Sequence, residues 1–317
     1  MMPGPVAGTP RESFEIFVHR VRTGVEKKLL SLTEPPYGAQ PPPRLLEAVR
    51  FALLGGGKRL RPILVIASGE ATRTDETRQD RPDGIASRLS TAACAIEMIH
   101  TFSLIHDDLP ALDDDALRRG RPTLHVKYDE ATAILAGDAL LNLAFEVMSR
   151  GEGPPAVWLA AIGAVSRAVG MEGMISGQVL DLEGEKTPVD AGRLHRTHML
   201  KTGALITACC EVGGILADAG EKTRTRLREY GKHLGLAFQI VDDILDVEGS
   251  AEMLGKSPGK DAKASKATFP AMWGVSESRR RAAESVELSC AAVTGCEQEI
   301  RPGQLIALAQ EVLTRSR

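Results

Sequence analysis

The sequence predicts an all-α protein, a single-domain helical bundle. Three observations point there. Almost every long segment repeats its apolar residues three and four positions apart, the spacing of one helix face. Alternating strand patterns are nearly absent. Aromatic residues make up only 4% of a chain in which Ala, Leu and Gly abound, a composition suited to close helix packing rather than to stacked sheets.

The elements follow in order. Residues 1–12 carry Pro3, Pro5 and Pro10 and no apolar core, so they read as a disordered N-terminus and not as a signal peptide. The domain then runs over 13–317. Phe14 to Leu32 forms a first amphipathic helix, and the Pro- and Gly-rich stretch 35–43 a turn. Arg44 to Leu54 is helical and stops at Gly55-Gly-Gly57; Pro62 suits the first turn of the next helix. Residues 72–84 read as a polar surface loop. Ile85 to Asp107 is a long helix, and Thr123 to Ser149 another, closed by Pro154 and Pro155. Further helices are expected over 157–170, 171–182, 189–216, 222–247, 267–293 and 302–314. No internal repeat of solenoid period occurs.

Bulk properties exclude several classes. A net charge of −3 without a basic face argues against nucleic-acid binding. Cys94, Cys209, Cys210, Cys290 and Cys296 are odd in number and form no CxxC pair, which points to buried thiols in a reducing compartment rather than disulfides or a zinc ribbon. No uninterrupted apolar run is long enough to cross a bilayer, so no stable membrane insertion is expected. A cytoplasmic location follows.

The chemistry concentrates in residues 97–115, where an apolar helix ends in a block of acid: Asp107, Asp108, Asp113, Asp114 and Asp115. Carboxylates this close raise one another's pKa and need cations. Glu97, His100, Ser103 and Asp107 lie on one helix face at spacings of three, three and four. A second helix repeats the device with Gln239, Asp242 and Asp246, beside Asp243. Gln178 with Asp181, and His198 with Lys201 and Thr202, are further polar pairs in apolar surroundings. A solvated helix face is the bland alternative, and it fits the two acidic clusters poorly because their remaining faces are apolar too. Clustered carboxylates without Cys suit Mg²⁺, which is held by one or two carboxylates plus substrate phosphate. Glu97-x-x-His100 matches half a di-iron site, but the motif occurs only once. The complement is basic: Gly55-Gly-Gly57 followed by Lys58, Arg59 and Arg61 can wrap an anion, and Arg118 and Arg119 stand beside the first acidic block. One basic and one metal-based device together would hold two phosphorylated substrates side by side.

These residues resemble the trans-isoprenyl diphosphate synthases, of the bacterial farnesyl/geranylgeranyl type. The likeness runs from about Phe14 to the C-terminus and is carried by seven ordered motifs, at 55–62, 97–123, 128–141, 177–183, 200–206, 238–249 and 255–271. The resemblance implies an isoprenoid-synthase bundle with a deep apolar cavity, usually a homodimer, binding Mg²⁺ (three per site with diphosphate present). It implies Asp107, Asp108, Asp113, Asp242, Asp243 and Asp246 as the metal-binding set. Gly57, Lys58, Arg61, His100 and Arg119 would take isopentenyl diphosphate, while Arg118, Lys201 and Lys256 would take the allylic diphosphate. Ser103, Gln178 and Asp181 line the same site. Thr202 and Gln239 would face the developing carbocation, with Lys201, Asp107 and Asp242 completing the catalytic set. The implied reaction is head-to-tail condensation with dimethylallyl or geranyl diphosphate. Residues 255–261, rich in Gly and Lys, would close as a flap.

Product length falls to Phe102. It lies roughly 7–8 Å deeper along the helix than Asp107, about 140° around the axis. In the resembling family this position gates chain length, and an aromatic there implies farnesyl diphosphate, with geranylgeranyl diphosphate the alternative. Pro110-Ala111, inserted in the first motif, is typical of the bacterial short-chain group. The rival classes are a terpene cyclase, a non-catalytic subunit of a heteromeric synthase, and an acidic bundle that binds Mg²⁺ adventitiously.

Overall fold

The computed structural model describes residues 13–34, 41–73, 84–187, 189–249, 267–296 and 298–315. Lys256 and the flap at 255–261 lie outside these residues, as does the N-terminus before Ser13. The described chain is all-α apart from one two-residue hairpin.

Helix α1 (Phe14–Leu32) starts where the Ser13 hydroxyl accepts from the Ile16 amide, and its stripe Phe17, Val21, Val25 and Leu29 is buried. Helices α2 (Pro43–Leu53) and α3 (Leu60–Ala71) flank the glycine-rich loop, and α4 (Gly84–Asp107) carries the first acidic block at its end. Strands β1 (Leu117–Arg118) and β2 (Arg121–Pro122) pair antiparallel in the register Leu117 with Pro122 and Arg118 with Arg121. Their two-residue turn, Arg119 and Gly120, has φ of 54° and 72°, the positive values a tight hairpin demands.

The helix expected over 123–149 is two helices, α5 (Leu124–Lys127) and α6 (Glu130–Ser149). Asp129 makes the break, because its carboxylate accepts from the Thr132 amide at 2.7 Å and caps the second helix. Helices α7 (Pro155–Val169) and α8 (Met174–Gly184) follow. The run expected over 189–216 is continuous but contains a π turn: α9 (Ala191–His198), the π segment Met199–Gly203, then α10 (Ala204–Leu216). Helix α11 (Glu221–Glu248) bears the second acidic cluster, and α12 (Phe269–Val293) and α13 (Gly303–Thr314) close the chain.

Helix α10 lies at the centre, packed on α3, α7 and α11, and around it α11 runs against α12 and α4 against α6. Tyr230, fully buried on α11, donates its hydroxyl to the Leu305 carbonyl at 2.7 Å and so ties α13 to the core. By length and mean composition α6 and the run 191–216 would suit a membrane span, although charged residues such as Asp138 and Lys201 interrupt both. For 191–216 the apolar character has a simpler cause: nearly every residue of α10 is buried inside the bundle.

Candidate active site

Helix α4 ends at Asp107, and the loop after it winds back so that the Asp113 amide donates to the Asp107 carbonyl at 2.8 Å. Pro110 and Ala111 supply the slack for this return. Asp108, 4% exposed, turns inward and accepts from Arg118 Nε at 2.8 and 2.9 Å. Asp115 Oδ2 lies 3.9 Å from the same guanidinium. Burial raises the Asp107 carboxyl above its usual value; nearby Lys201 opposes this, and Asp113 adds to it.

Lys201 comes from the π turn and donates to Asp181 at 2.7 Å. Burial works against its charge, but Asp181, Asp107 and Asp113 outweigh burial and hold its pKa above the ordinary lysine value. The close approach of α8 that makes this contact depends on Gly177: a Cβ there would lie 2.1 Å from the Lys201 backbone nitrogen. The wider π turn also fans out its neighbours. Thr202 donates to Gln239 Oε1 at 2.7 Å, Gln239 Nε2 donates to Asp243 Oδ1 at 2.9 Å, and His198 Nε2 meets Asp243 Oδ2 at 3.2 Å. The Phe269 amide donates to that same oxygen at 3.0 Å.

The second cluster is therefore split. Asp243 is 5% exposed and engaged by protein donors through both oxygens, so the expected metal role meets a carboxylate turned into the bundle. Asp242, 59% exposed, faces outward and accepts from Arg315 at 3.0 Å. The Arg315 guanidinium also donates to the Phe238 carbonyl and covers the Phe238 ring at 3.8 Å. Asp246 lies one turn further along α11.

The basic corner is built on the glycine-rich loop. Arg59, in the left-handed region at φ 54°, is not an anion ligand: it is buried, pairs with Glu97 at 2.8 Å and donates to the Leu53 carbonyl. That buried pair anchors the loop and leaves Lys58 exposed and Arg61 half-buried, both within electrostatic reach of Asp242. Gly57, at φ 143°, leaves room for the Arg119 guanidinium, which reaches the Gly56 carbonyl. Burial drives the His100 pKa far below the usual histidine value, and Arg61, Arg119, Arg118 and Arg59 push it further down. Its Nδ1 and the Arg61 Nε are buried without hydrogen-bond partners among the described residues. A cavity lined by Gly55, His100, Leu104, Asp108, Arg118 and Arg119 opens here. Such a crowd of cations around an imidazole held neutral has the chemistry to take up a multiply charged anion.

The sequence profile of the polyprenyl synthetase family matches residues 42–301. The chain belongs to that family. It is 42% identical over 280 residues to a farnesyl diphosphate synthase of Escherichia coli, covering 86% of this chain and 90% of that one. It is 43% identical over 278 residues to a geranylgeranyl diphosphate synthase of Cyanophora paradoxa, covering 87% and 89%. Among solved structures, a geranyltransferase from Helicobacter pylori complexed with magnesium and isoprenyl diphosphate superposes with a TM-score of 0.80 at 30% identity, covering 98% of each chain. As a member of the polyprenyl synthetases, the chain is a prenyltransferase that performs trans-prenyl condensation, on the all-α fold of isoprenyl diphosphate synthases.

Of the residues singled out in this polyprenyl synthetase, Asp107, Asp113, Asp181 and Lys201 form one electrostatic cluster, and Lys58, Arg61 and Asp242 a second. Ser103 spends its hydroxyl on the His100 carbonyl of its own helix, and Gln178 Nε2 is buried without a partner among the described residues. Phe102 is 7% exposed and packs edge-on against His106. Sequence reasoning missed Arg315, a cation near the C-terminus with no motif around it. It also missed the Arg59–Glu97 pair, for which a signal existed: an acid within an apolar helical run needs a buried cation.

Proposed function

We propose that this prenyltransferase condenses isopentenyl diphosphate with dimethylallyl and then geranyl diphosphate, releasing diphosphate and yielding farnesyl diphosphate. The observation that carries this reading is the juxtaposition of an acid-rich corner and a separate cation-rich corner in one site. Lys58, Arg61, His100 and Arg119 hold isopentenyl diphosphate. Arg118 and Lys201 face the allylic diphosphate, with Lys256 from the segment outside the described residues. Asp108 and Asp243 serve as braces, leaving Asp107, Asp113, Asp242 and Asp246 as the metal-facing carboxylates.

The donor set fits Mg²⁺. It is all oxygen, and burial raises the Asp107 carboxyl by more than the nearby Lys201 and Arg118 lower it, a deficit that a bound cation would make good. No three acidic, His or Cys side chains among the described residues close a metal site on their own; Mg²⁺ is commonly held by one or two carboxylates together with substrate phosphate oxygens and water. When bound, Mg²⁺ supplies positive charge that stabilises the departing diphosphate, and three ions per site suit two carboxylate groups flanking it. The protein's part is to orient and to exclude water. Lys201 and Arg118 bind the leaving group as the allylic C–O bond breaks. Thr202 and Gln239, locked by Asp243, present oxygen dipoles to the carbocation. The π-bond of isopentenyl diphosphate then forms the new C–C bond, and the proton it sheds passes to the released diphosphate.

Phe102, buried five residues before Asp107, supports a farnesyl product by closing the floor of the prenyl cavity. Geranylgeranyl diphosphate is the second reading, favoured by the similarity to the Cyanophora enzyme. The exposed apolar residues Ile134 and Leu135 on α6 and Leu159 on α7 support a homodimer through these neighbouring helices. Five free thiols fit a reducing, cytoplasmic setting. Labelled isopentenyl diphosphate with dimethylallyl, geranyl or farnesyl primers tests the whole reading. Label is expected in farnesyl product, and Phe102→Ala should extend it to geranylgeranyl. Cyclisation of farnesyl diphosphate without isopentenyl diphosphate would refute it.

A further inference from the structure

His106 sits between the metal-facing end of α4 and the floor residue, and no role in the reaction has been given to it. Its ring meets Phe102 edge-on, with centroids 5.0 Å apart and planes at 81°. On its other side it reaches α6, where Nε2 lies 3.1 Å from the Ile134 carbonyl. A carbonyl only accepts, so Nε2 carries the proton in this contact. One turn along α6, Gly137 makes space for the ring: a Cβ there would lie 2.2 Å from His106 Nε2 and 2.5 Å from Cδ2. The imidazole is thus held between the Phe102 ring and the bare backbone of α6.

We propose that His106 and Gly137 set product length by fixing how far the Phe102 ring sinks towards α6. The proposal rests on the reading of Phe102 as the cavity floor. A helical phenylalanine has two accessible χ1 wells, both pointing back along the helix, so its ring adjusts mainly by moving into space beside it. His106 occupies that space. Removing the imidazole gives the ring room to drop and deepens the cavity. Adding a methyl at Gly137 does the opposite. To restore ordinary contact the imidazole must move by roughly 1 Å, and the ring it already packs against is that of Phe102. Within a helix the Gly→Ala change itself favours folding by about 1 kcal/mol, so the strain falls on the ring.

The test is the chain-length distribution of products made from isopentenyl and dimethylallyl diphosphates. His106→Ala is expected to raise the geranylgeranyl-to-farnesyl ratio roughly tenfold, the discrimination one small pocket change supplies. Gly137→Ala is expected to move it the other way, with geranyl diphosphate accumulating. His106→Gln, whose amide can still donate to the Ile134 carbonyl, should fall between His106→Ala and the parent. Because His106 acts through Phe102, Phe102→Ala with His106→Ala should extend the product no further than Phe102→Ala alone. If Phe102→Ala lengthens the product while both His106→Ala and Gly137→Ala keep the parental distribution, the floor reading stands and the brace is refuted. A shift of both in the same direction also refutes it. No change with Phe102→Ala removes the floor and the brace together. Should His106→Ala fail to fold, the opposite shift expected of Gly137→Ala still decides.

Discussion

In the adjacent aspartate pair that opens each acidic cluster the second member is the more buried, Asp108 at 4% exposure and Asp243 at 5%, while the first is less enclosed. Their partners differ in kind. Asp108 answers a full charge, the Arg118 guanidinium, from a loop that has left the helix. Asp243 answers dipoles and a histidine from within α11: the Gln239 amide, the Phe269 backbone and His198. The first cluster is held in place by electrostatics across a returning loop, the second by hydrogen bonds along a helix and into the start of the next. One sequence pattern, a pair of adjacent aspartates, therefore performs two tasks at each site, with one carboxylate offered outward and one spent on the frame.

The largest break in that parallel should come from the outward pair. Asp107→Asn and Asp242→Asn are each expected to lower kcat/KM by about 10²–10³-fold or more, the scale of losing one preorganised electrostatic contact at the reacting charge. Unchanged melting temperatures would show that the frame survives, and near-parental turnover would refute the assignment. The inward pair should divide by partner. Asp108→Asn is expected to cost about 3 kcal/mol, the low end for breaking a buried ion pair because Asp115 stays 3.9 Å from Arg118. Asp243→Asn, which gives up accepting capacity rather than a salt bridge, should cost about 1–2 kcal/mol. Denaturant unfolding measures both, and the reverse order would overturn the distinction.

A smaller effect comes from the cationic side. His100 is held neutral in the folded chain by burial and four arginines, whereas in the unfolded chain it titrates near 6.5. Below about pH 6.5 the unfolded state binds the extra proton, so stability falls with falling pH until the folded-state pKa is reached. His100→Gln should flatten that acid-side slope by up to about 1.4 kcal/mol per pH unit, as read by unfolding at several pH values. An unchanged slope would mean that His100 is protonated in the fold. Least costly is Arg315→Ala. Stability should change by under about 1 kcal/mol, since Asp242 is well exposed. With the competing guanidinium gone, half-saturation by Mg²⁺ should fall severalfold; a rise would show that Arg315 assists the bound state.

Helix positions were legible where periodicity and punctuation agreed, as for α1 between Ser13 and Leu32 and for α4, whose acid block ends its apolar run. The break at Tyr128 and Asp129 was not, because an aspartate between two helical patterns reads equally as a surface residue and as a cap. In the site, the carboxylates and cations were visible as types, but their division of labour was not. Spacing placed Asp107 and Asp108, or Lys58, Arg59 and Arg61, side by side. Which member turns inward depends on partners brought from far along the chain: Glu97 for Arg59, Phe269 for Asp243. His198, Lys201 and Thr202 looked like one stripe, yet they meet Asp243, Asp181 and Gln239 respectively.

That dispersal originates in the π turn at Met199–Gly203. A turn widened in this way is equivalent to one extra residue slipped into an α-helix, and it advances the phase of everything beyond it. Deleting a single residue between 199 and 203 would let the helix resume its ordinary winding. Because the chain on either side is already helical, α9 and α10 could realign by a rotation rather than by unfolding. Lys201 and Thr202, however, would swing to another azimuth, away from Asp181 and Gln239. The bundle would then tolerate the shortening far better than the chemistry, so the insertion works as a phase shifter that lets one continuous helix serve both an apolar centre and a polar site.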